Sequence, residues 1–325
     1  MNRRATIWAL LALAAAMCAL TAAAQHDGPA RRIGVLAQDL QPGLLDTFRD
    51  ELGKLGYVEG RNFTMEVRTA EGINERLTAL TSDLLRLKVD IILAVNTPAA
   101  KAAKEATKSV PIVIVRVADP VKSGLVESLA RPGGNVTGLS FMPDELGSKG
   151  IEILREVLPK ISRMGHLYQG DNPGNRVVVD AVEARGVQLG LKIVRLPVIE
   201  PKDYKGAFET AARARIEGLF VMDDGAITQQ RRQILDLSAK YSLPVVAVYK
   251  DFATAGAVIA YGPRLSVVYR RAAHYVDKIW KGEAASGLPV EQPDKFDLFV
   301  NLKTAKALGL TIPASVLLRA DEVIE

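Results

Sequence analysis

Short runs of apolar, largely β-branched residues alternate with longer amphipathic stretches through most of this chain, and that alternation leaves few folds open. Ile33 to Leu36 reads as a buried strand. Leu44, Leu45, Phe48, Leu52 and Leu55 follow at helical spacing, and Gly56 ends the stripe. Phe63 to Val67 alternates as a strand, and Leu77, Leu80, Leu84, Leu85 and Leu87 mark the next helix. Val89 to Val95 and Ile112 to Val117 are further buried strands with a helix over Ala99 to Ala106 between them, and Val136 to Phe141 closes this half. Apolar strands separated by helices predict a parallel sheet covered on both faces.

The same grammar then restarts. Helices are expected over Leu146–Leu158, Val177–Leu189, Tyr204–Ala214 and Thr228–Tyr241, and strands at Met164–Tyr168, Ile193–Leu196, Gly218–Met222, Pro244–Val248 and Val258–Tyr261. Arg264 to Trp280 is a long helix closed by Gly282, and the tail holds a strand at Phe296–Val300 and a short helix at Leu302–Leu308. The fold class is therefore α/β, with two doubly wound parallel-sheet lobes. The expected division is 31–141 plus 256–285 for the first lobe, and 142–255 plus 290–325 for the second. Short crossings near Phe141–Pro143 and Phe252–Gly256 suit a hinge better than a flexible linker.

The beginning of the chain bears on compartment. Asn2-Arg3-Arg4 is basic, Ile7 to Leu20 is apolar but short for a membrane span, and Ala22-Ala23-Ala24 offers small residues to a signal peptidase. Residues 1–24 thus read as a signal peptide cleaved near Ala24-Gln25, which predicts a periplasmic protein whose mature chain is not inserted in a membrane. A retained anchor, or lipid attachment at Cys18, would be the alternatives; bulky Met17 before Cys18 speaks against the latter. Cys18 is the only cysteine, so a mature chain from Gln25 has no disulfide, thiol nucleophile or thiolate metal site. His26, His166 and His274 are too few and too scattered for a histidine-rich metal centre. The net charge of +5 is spread along the chain and forms no basic stripe, which argues against a nucleic-acid partner.

Missing motifs narrow the chemistry. No G-x-G-x-x-G follows a strand, and no P-loop, H-E-x-x-H or G-x-S-x-G elbow is present. No cofactor, no metal and no catalytic residue is expected. What remains are loops just after strands, where ligands of open parallel sheets bind. Asn96-Thr97-Pro98 either caps a helix or offers its N–H groups and hydroxyl to an anion. Asp119 is either a turn residue before Pro120 or a carboxylate for a ligand ammonium. Ser140 and Phe141 end a strand at the crossing, where an aromatic ring is either core or a stacking surface. In the second half the comparable residues are Asn172, Asp223 and Tyr249, with Tyr261 at the end of a later strand.

Longer strings carry a family resemblance. Leu55-Gly56-Tyr57-Val58-Glu59-Gly60-Arg61-Asn62, Asp119-Pro120-Val121 and Ser128-Leu129-Ala130-Arg131-Pro132-Gly133-Gly134-Asn135-Val136-Thr137-Gly138 resemble ABC-transporter substrate-binding proteins of the tryptophan/tyrosine type. So do Pro289-Val290-Glu291-Gln292-Pro293 and the run from Asn301 to Pro313. The resemblance implies a type I periplasmic-binding fold: two Rossmann-like lobes, a three-segment hinge, and closure on a small ligand. It further implies a monomer that delivers this ligand, in some relatives an aromatic amino acid, to an ABC permease and ATPase. The alternative is a sensing module for a receptor kinase. The family's loop after the third strand usually has glycine before the threonine, where this chain has Asn96.

Overall fold

The apolar runs form two separate sheets. The structure, a computed structural model, describes residues 30–141, 143–222 and 224–325; the expected signal peptide 1–24, its Ala24-Gln25 junction, Cys18 and Asp223 lie outside the described residues. The first sheet contains β1 (Arg31–Ala37), β2 (Phe63–Thr69), β3 (Ile91–Val95), β4 (Ile112–Ala118) and β5 (Val136–Phe141), in the order β2-β1-β3-β4-β5 and parallel throughout. The second contains β6 (Arg163–Gln169), β7 (Lys192–Val198), β8 (Gly218–Val221), β9 (Val245–Ala247), β10 (Ile259–Pro263), β11 (Phe296–Asn301) and β12 (Glu322–Ile324). Its order is β12-β11-β10-β9-β8-β6-β7, with only the β10–β11 pair antiparallel.

Helices cover both faces of each sheet, as strands such as β3 and β4, buried at every position, require. In the first lobe α1 (Leu44–Lys54) and the long α10 (Leu265–Trp280) lie on one face; α2 (Leu77–Arg86) and α3 (Thr97–Ala106) lie on the other. Phe48 of α1 and Tyr269 of α10 are fully buried between them, each contributing about 1.5–3 kcal/mol of apolar burial. In the second lobe α4 (Pro143–Val157) and α5 (Asn175–Gln188) cover one face, and α6 (Asp203–Arg213) and α8 (Arg231–Lys240) the other. The single helix expected over Thr228–Tyr241 is two, because a short α7 (Gly225–Gln229) ends at Gln230 before α8 begins.

The crossings between lobes differ from expectation in one respect. β10, expected in the first lobe, pairs with β9 and β11 in the second sheet. Its run of apolar residues finds the open edge of β9, and Phe252–Gly256 is only the end of α9 (Lys250–Ala255) and its turn within that lobe. The chain crosses instead after Pro263, into α10 of the first lobe. A third crossing follows Glu291. Residues 290 and 291 still hydrogen-bond along the first lobe (Val290 N to Leu129 O, 2.7 Å; Glu291 N to Gly138 O, 2.9 Å) before β11 enters the second sheet. Arg264 forks onto Asp297 and Arg271 onto Glu291, so α10 grips the returning segment at two points. Burial of Glu291 would raise its pKa, but the Arg271 guanidinium wins and holds it below the usual carboxylate value.

Candidate ligand-binding cleft

The carboxyl ends of the strands of both sheets meet, and the side chains there are polar yet buried. After β1 come Gln38, fully buried, and Asp39, 3 % exposed. After β3 come Asn96 and Thr97, and within β4 stands Arg116. From the second lobe, Gln169 ends β6, Asn172 and Asn175 follow it, Asp224 and Gly225 follow β8, and Tyr249 follows β9. Burying so many polar groups is costly unless they are paired with one another or with something captured.

Arg116 is placed by a defect in its strand. The β4–β5 register shifts between Ile114 and Val117, and Arg116 takes a left-handed φ of 58°. The bulge turns its side chain, fully buried, toward Asp39 (Nη1 to Oδ1, 3.6 Å) and over the Tyr249 ring of the other lobe at 5.1 Å. Gly138 on the neighbouring strand makes room for it: a Cβ there would lie 2.4 Å from the Ile114 carbonyl oxygen. Asn96 (φ 72°) and Asp119 (φ 34°) are also left-handed. Asn96 and Arg116 thus hold left-handed backbone at the strand ends that face the other lobe.

The two lobes touch. The Gly225 N–H donates to Gln38 Oε1 at 3.2 Å, and the same oxygen accepts from Asn96 Nδ2 at 3.0 Å. Asn74 Nδ2 donates to Asp171 Oδ2 at 2.9 Å. Gly174, ahead of α5, approaches Thr97 so closely that a Cβ would sit 2.7 Å from its hydroxyl; a Cβ on Gly225 would sit 2.5 Å from Asp39 Oδ1. Several buried atoms at this seam have no protein hydrogen-bond partner among the described residues: Asn96 Oδ1, Ser140 Oγ, Gln41 Nε2 and Gln169 Oε1.

Of the residues expected from the sequence, Asn96, Thr97, Ser140, Phe141, Asn172 and Tyr249 stand along these facing edges. Phe141 and Tyr249, from opposite lobes, have ring centroids 6.1 Å apart. Thr97 Oγ1 accepts the Ala118 N–H (3.1 Å), and Asn172 donates to Asp224 (2.5 Å) while accepting from Gly174 N. Asp119 does not join them. Its carboxylate turns back to its own loop, accepting from Lys122 N at 3.0 Å and pairing with Lys122 Nζ at 3.3 Å. Tyr261 does not join them either, because it lies mid-strand in β10 and stacks on Phe296 of the adjacent strand (5.7 Å, 17°). Asp223 is outside the described residues. Gln38, Asp39 and Arg116 were missed, although a lone arginine in an otherwise apolar run was a legible signal. Among the described residues no group of three or more His, Cys, Asp or Glu is placed to hold a metal, and no helix is long and apolar enough to cross a membrane.

Comparison with known proteins gives a consistent set of similarities. The model of a family described as ABC transporter substrate binding protein matches residues 37–324. A curated tyrosine-binding protein of Clostridioides difficile (strain R20291) is 27 % identical over 256 residues, 78 % of this chain and 73 % of its own length. Among solved structures, an ABC domain in complex with L-Trp from Streptococcus pneumonia superposes with a TM-score of 0.85 at 23 % identity, covering 91 % of this chain and 100 % of that one. A ligand-free, open substrate-binding protein with adhesive properties from Clostridium difficile reaches 0.65 at 28 % identity, covering 90 % and 99 %.

Proposed function

The chain belongs to the ABC transporter substrate-binding protein family, and from that premise we propose that it captures an amino acid with an aromatic side chain between its lobes by hinge closure. The family is one of solute-binding proteins that work outside the cytoplasm, not of enzymes. In this reading the protein is exported through its N-terminal segment, acts in the periplasm as a monomer, and hands its ligand to a permease and ATPase.

One observation carries the reading: polar strand-end residues of both lobes are buried against each other, with unpartnered atoms left at the seam. Arg116 and Asp39 bring opposite charges to that place, suited to the carboxylate and ammonium of an amino acid. Asn96 and Ser140 add an acceptor and a hydroxyl, and the rings of Phe141 and Tyr249 offer flat faces to an aromatic side chain. Asn172 belongs to the second lobe's wall, where it holds Asp224 in place. The tyrosine-binding relative supports this ligand class. Closure is supported by the touching lobes and by the weaker superposition on the open, ligand-free protein. Such a ligand gains contacts from two lobes only when they are together, so its differential affinity draws the population toward the closed form.

Calorimetry with L-tyrosine, L-tryptophan and L-phenylalanine, paired with small-angle scattering, tests the proposal. A Kd near 1 μM, or about −8.2 kcal/mol, with a decrease in radius of gyration on binding is the expected result. Absence of binding by every amino acid, or binding with no change of shape, would refute it.

A further inference from the structure

At the outer lip of the interface a groove of about 500 Å³ lies between the lobes. The turn after β2, from Glu71 to Glu75, forms one wall; Ile199, Glu200, Tyr204 and Asp171 form much of the other. The groove combines two chemistries. Ile73 and Ile199 are about half exposed (51 % and 56 %), one on each wall. Four carboxylates, Glu71, Glu75, Asp171 and Glu200, line it, and no lysine, arginine or histidine does. Glu71 leans on Arg76 and Glu200 on Lys202, whereas Glu75 and Asp171 have no ion pair among the described residues. The chain as a whole is positive, so attraction of a cation here is local and not a property of the whole surface.

Tyr204 supplies an independent sign. It is 2 % exposed and packs in the second lobe's core, yet it forms part of the groove wall. Nothing among the described residues hydrogen-bonds its hydroxyl. The ring is buried while the hydroxyl opens on the groove, where it is free to meet a ligand. Burial, with Asp224 and Asp203 nearby, pushes its pKa up, so it stays neutral and its oxygen can accept from an ammonium.

We propose that this groove is a second binding site, for a small organic cation with an aliphatic stem, and that it exists only while the lobes are together. Its volume falls in the range of small-molecule sites. The stem lies along Ile73 and Ile199, and amino groups meet Glu75, Asp171 and the Tyr204 oxygen. Because the two walls belong to different lobes, parting them splits the site. Asn74 belongs to the groove and hydrogen-bonds both Gln38 of the cleft (2.8 Å) and Asp171 (2.9 Å), which joins the two places. The dependence on closure rests on the proposed function above, and by linkage occupancy of either site then tightens the other.

Calorimetry with spermidine as the probe, with and without saturating L-tyrosine, is the test. Saturable one-to-one binding is expected, weakened about fivefold or more in the combined variant Glu75→Gln/Tyr204→Phe, as loss of a charge-assisted contact and a hydrogen bond requires. Tyrosine affinity should rise about threefold with spermidine present, and spermidine affinity by the same factor with tyrosine present. No saturable binding, or the same binding in the combined variant, overturns the site. Unchanged tyrosine affinity overturns its dependence on closure. If tyrosine binds and spermidine does not, the groove fails and the capture function stands. If spermidine binds and is lost in the variant while no amino acid binds, the groove stands and the capture function falls.

Discussion

Arg116 is the residue on which the cleft turns. β4 is apolar at each of its other positions, so local patterning reads it as a core strand and gives no reason to look further. What aims the guanidinium is the bulge opposite Gly138, a property of the pairing between two strands and therefore invisible along one. The place of Asn96 and Thr97 at a strand end facing the other lobe was legible because a polar pair before a proline is a local pattern. Asp119 was misleading for the same reason: the proximity that decides its role, Lys122 three residues on, is equally local and favours a turn. Substituting Arg116→Leu leaves Asp39 buried without that cation, and should lower unfolding free energy by about 3 kcal/mol in urea titrations. Arg116→Leu combined with Asp39→Leu should recover a large part of the loss. His166 gives a second residue-scale prediction. It is fully buried between Tyr168 and Phe220, neither ring nitrogen has a hydrogen-bond partner among the described residues, and desolvation lowers its pKa from 6.5 to about 3. The folded chain keeps it neutral while the unfolded chain protonates it below 6.5. Its stabilising contribution is therefore complete above 6.5 and is lost as pH falls toward 3, at up to about 1.4 kcal/mol per pH unit. His166→Leu should show a shallower loss of stability than the parent across that window; parallel acid limbs would show that His166 is not the group responsible.

At the scale of elements, the strand and helix pattern was readable because burial on both faces of a parallel sheet needs continuous apolar runs. The lobe to which β10 belongs was not. Val258 to Tyr261 looks like any other buried strand, and only the free edge of β9 and the antiparallel return of β11 decide where it docks. The same blindness to pairing hides the importance of Gly138, which in sequence is one glycine of a turn-rich stretch. Its φ of 128° and the nearby Ile114 backbone leave no space for a side chain, since a Cβ would meet both the carbonyl oxygen at 2.4 Å and the amide nitrogen at 2.6 Å. Backbone cannot swing aside as a side-chain tip does. Gly138→Ala should therefore destabilise the first lobe by about 3 kcal/mol or more, combining a positive-φ penalty with a steric one. It should also weaken ligand binding, because the bulge that aims Arg116 depends on it. Gly206→Ala is the control: it lies in α6 with nothing within 4 Å of a new Cβ, and helix propensity favours alanine there by about 0.5–1 kcal/mol. Thermal unfolding of the two variants should move in opposite directions.

For the whole molecule, the question is what limits the approach of one lobe to the other. The seam has glycine at the second lobe's tightest points, Gly174 against Thr97 and Gly225 against Gln38 and Asp39. Gly174 has an ordinary helical backbone (φ −68°, ψ −30°), so alanine there strains nothing within its own lobe. The three atoms nearest the added methyl all belong to Thr97 of the opposite lobe, its hydroxyl at 2.7 Å and its Cβ at 3.1 Å. Gly174→Ala therefore separates closure from folding. Unfolding free energy should stay within about 0.5 kcal/mol of the parent, the usual range for a harmless surface change. The wedge should meanwhile disfavour the closed form by about 1.4 kcal/mol or more, which appears as a tenfold or greater loss of amino-acid affinity. Scattering at a ligand concentration that compacts the parent should show the variant still extended. Shortening the opposing side chain with Thr97→Ala ought to restore part of the affinity if the collision is the cause. An affinity unchanged by Gly174→Ala would mean that ligand is held with the lobes apart, and that this seam is not the surface along which they close.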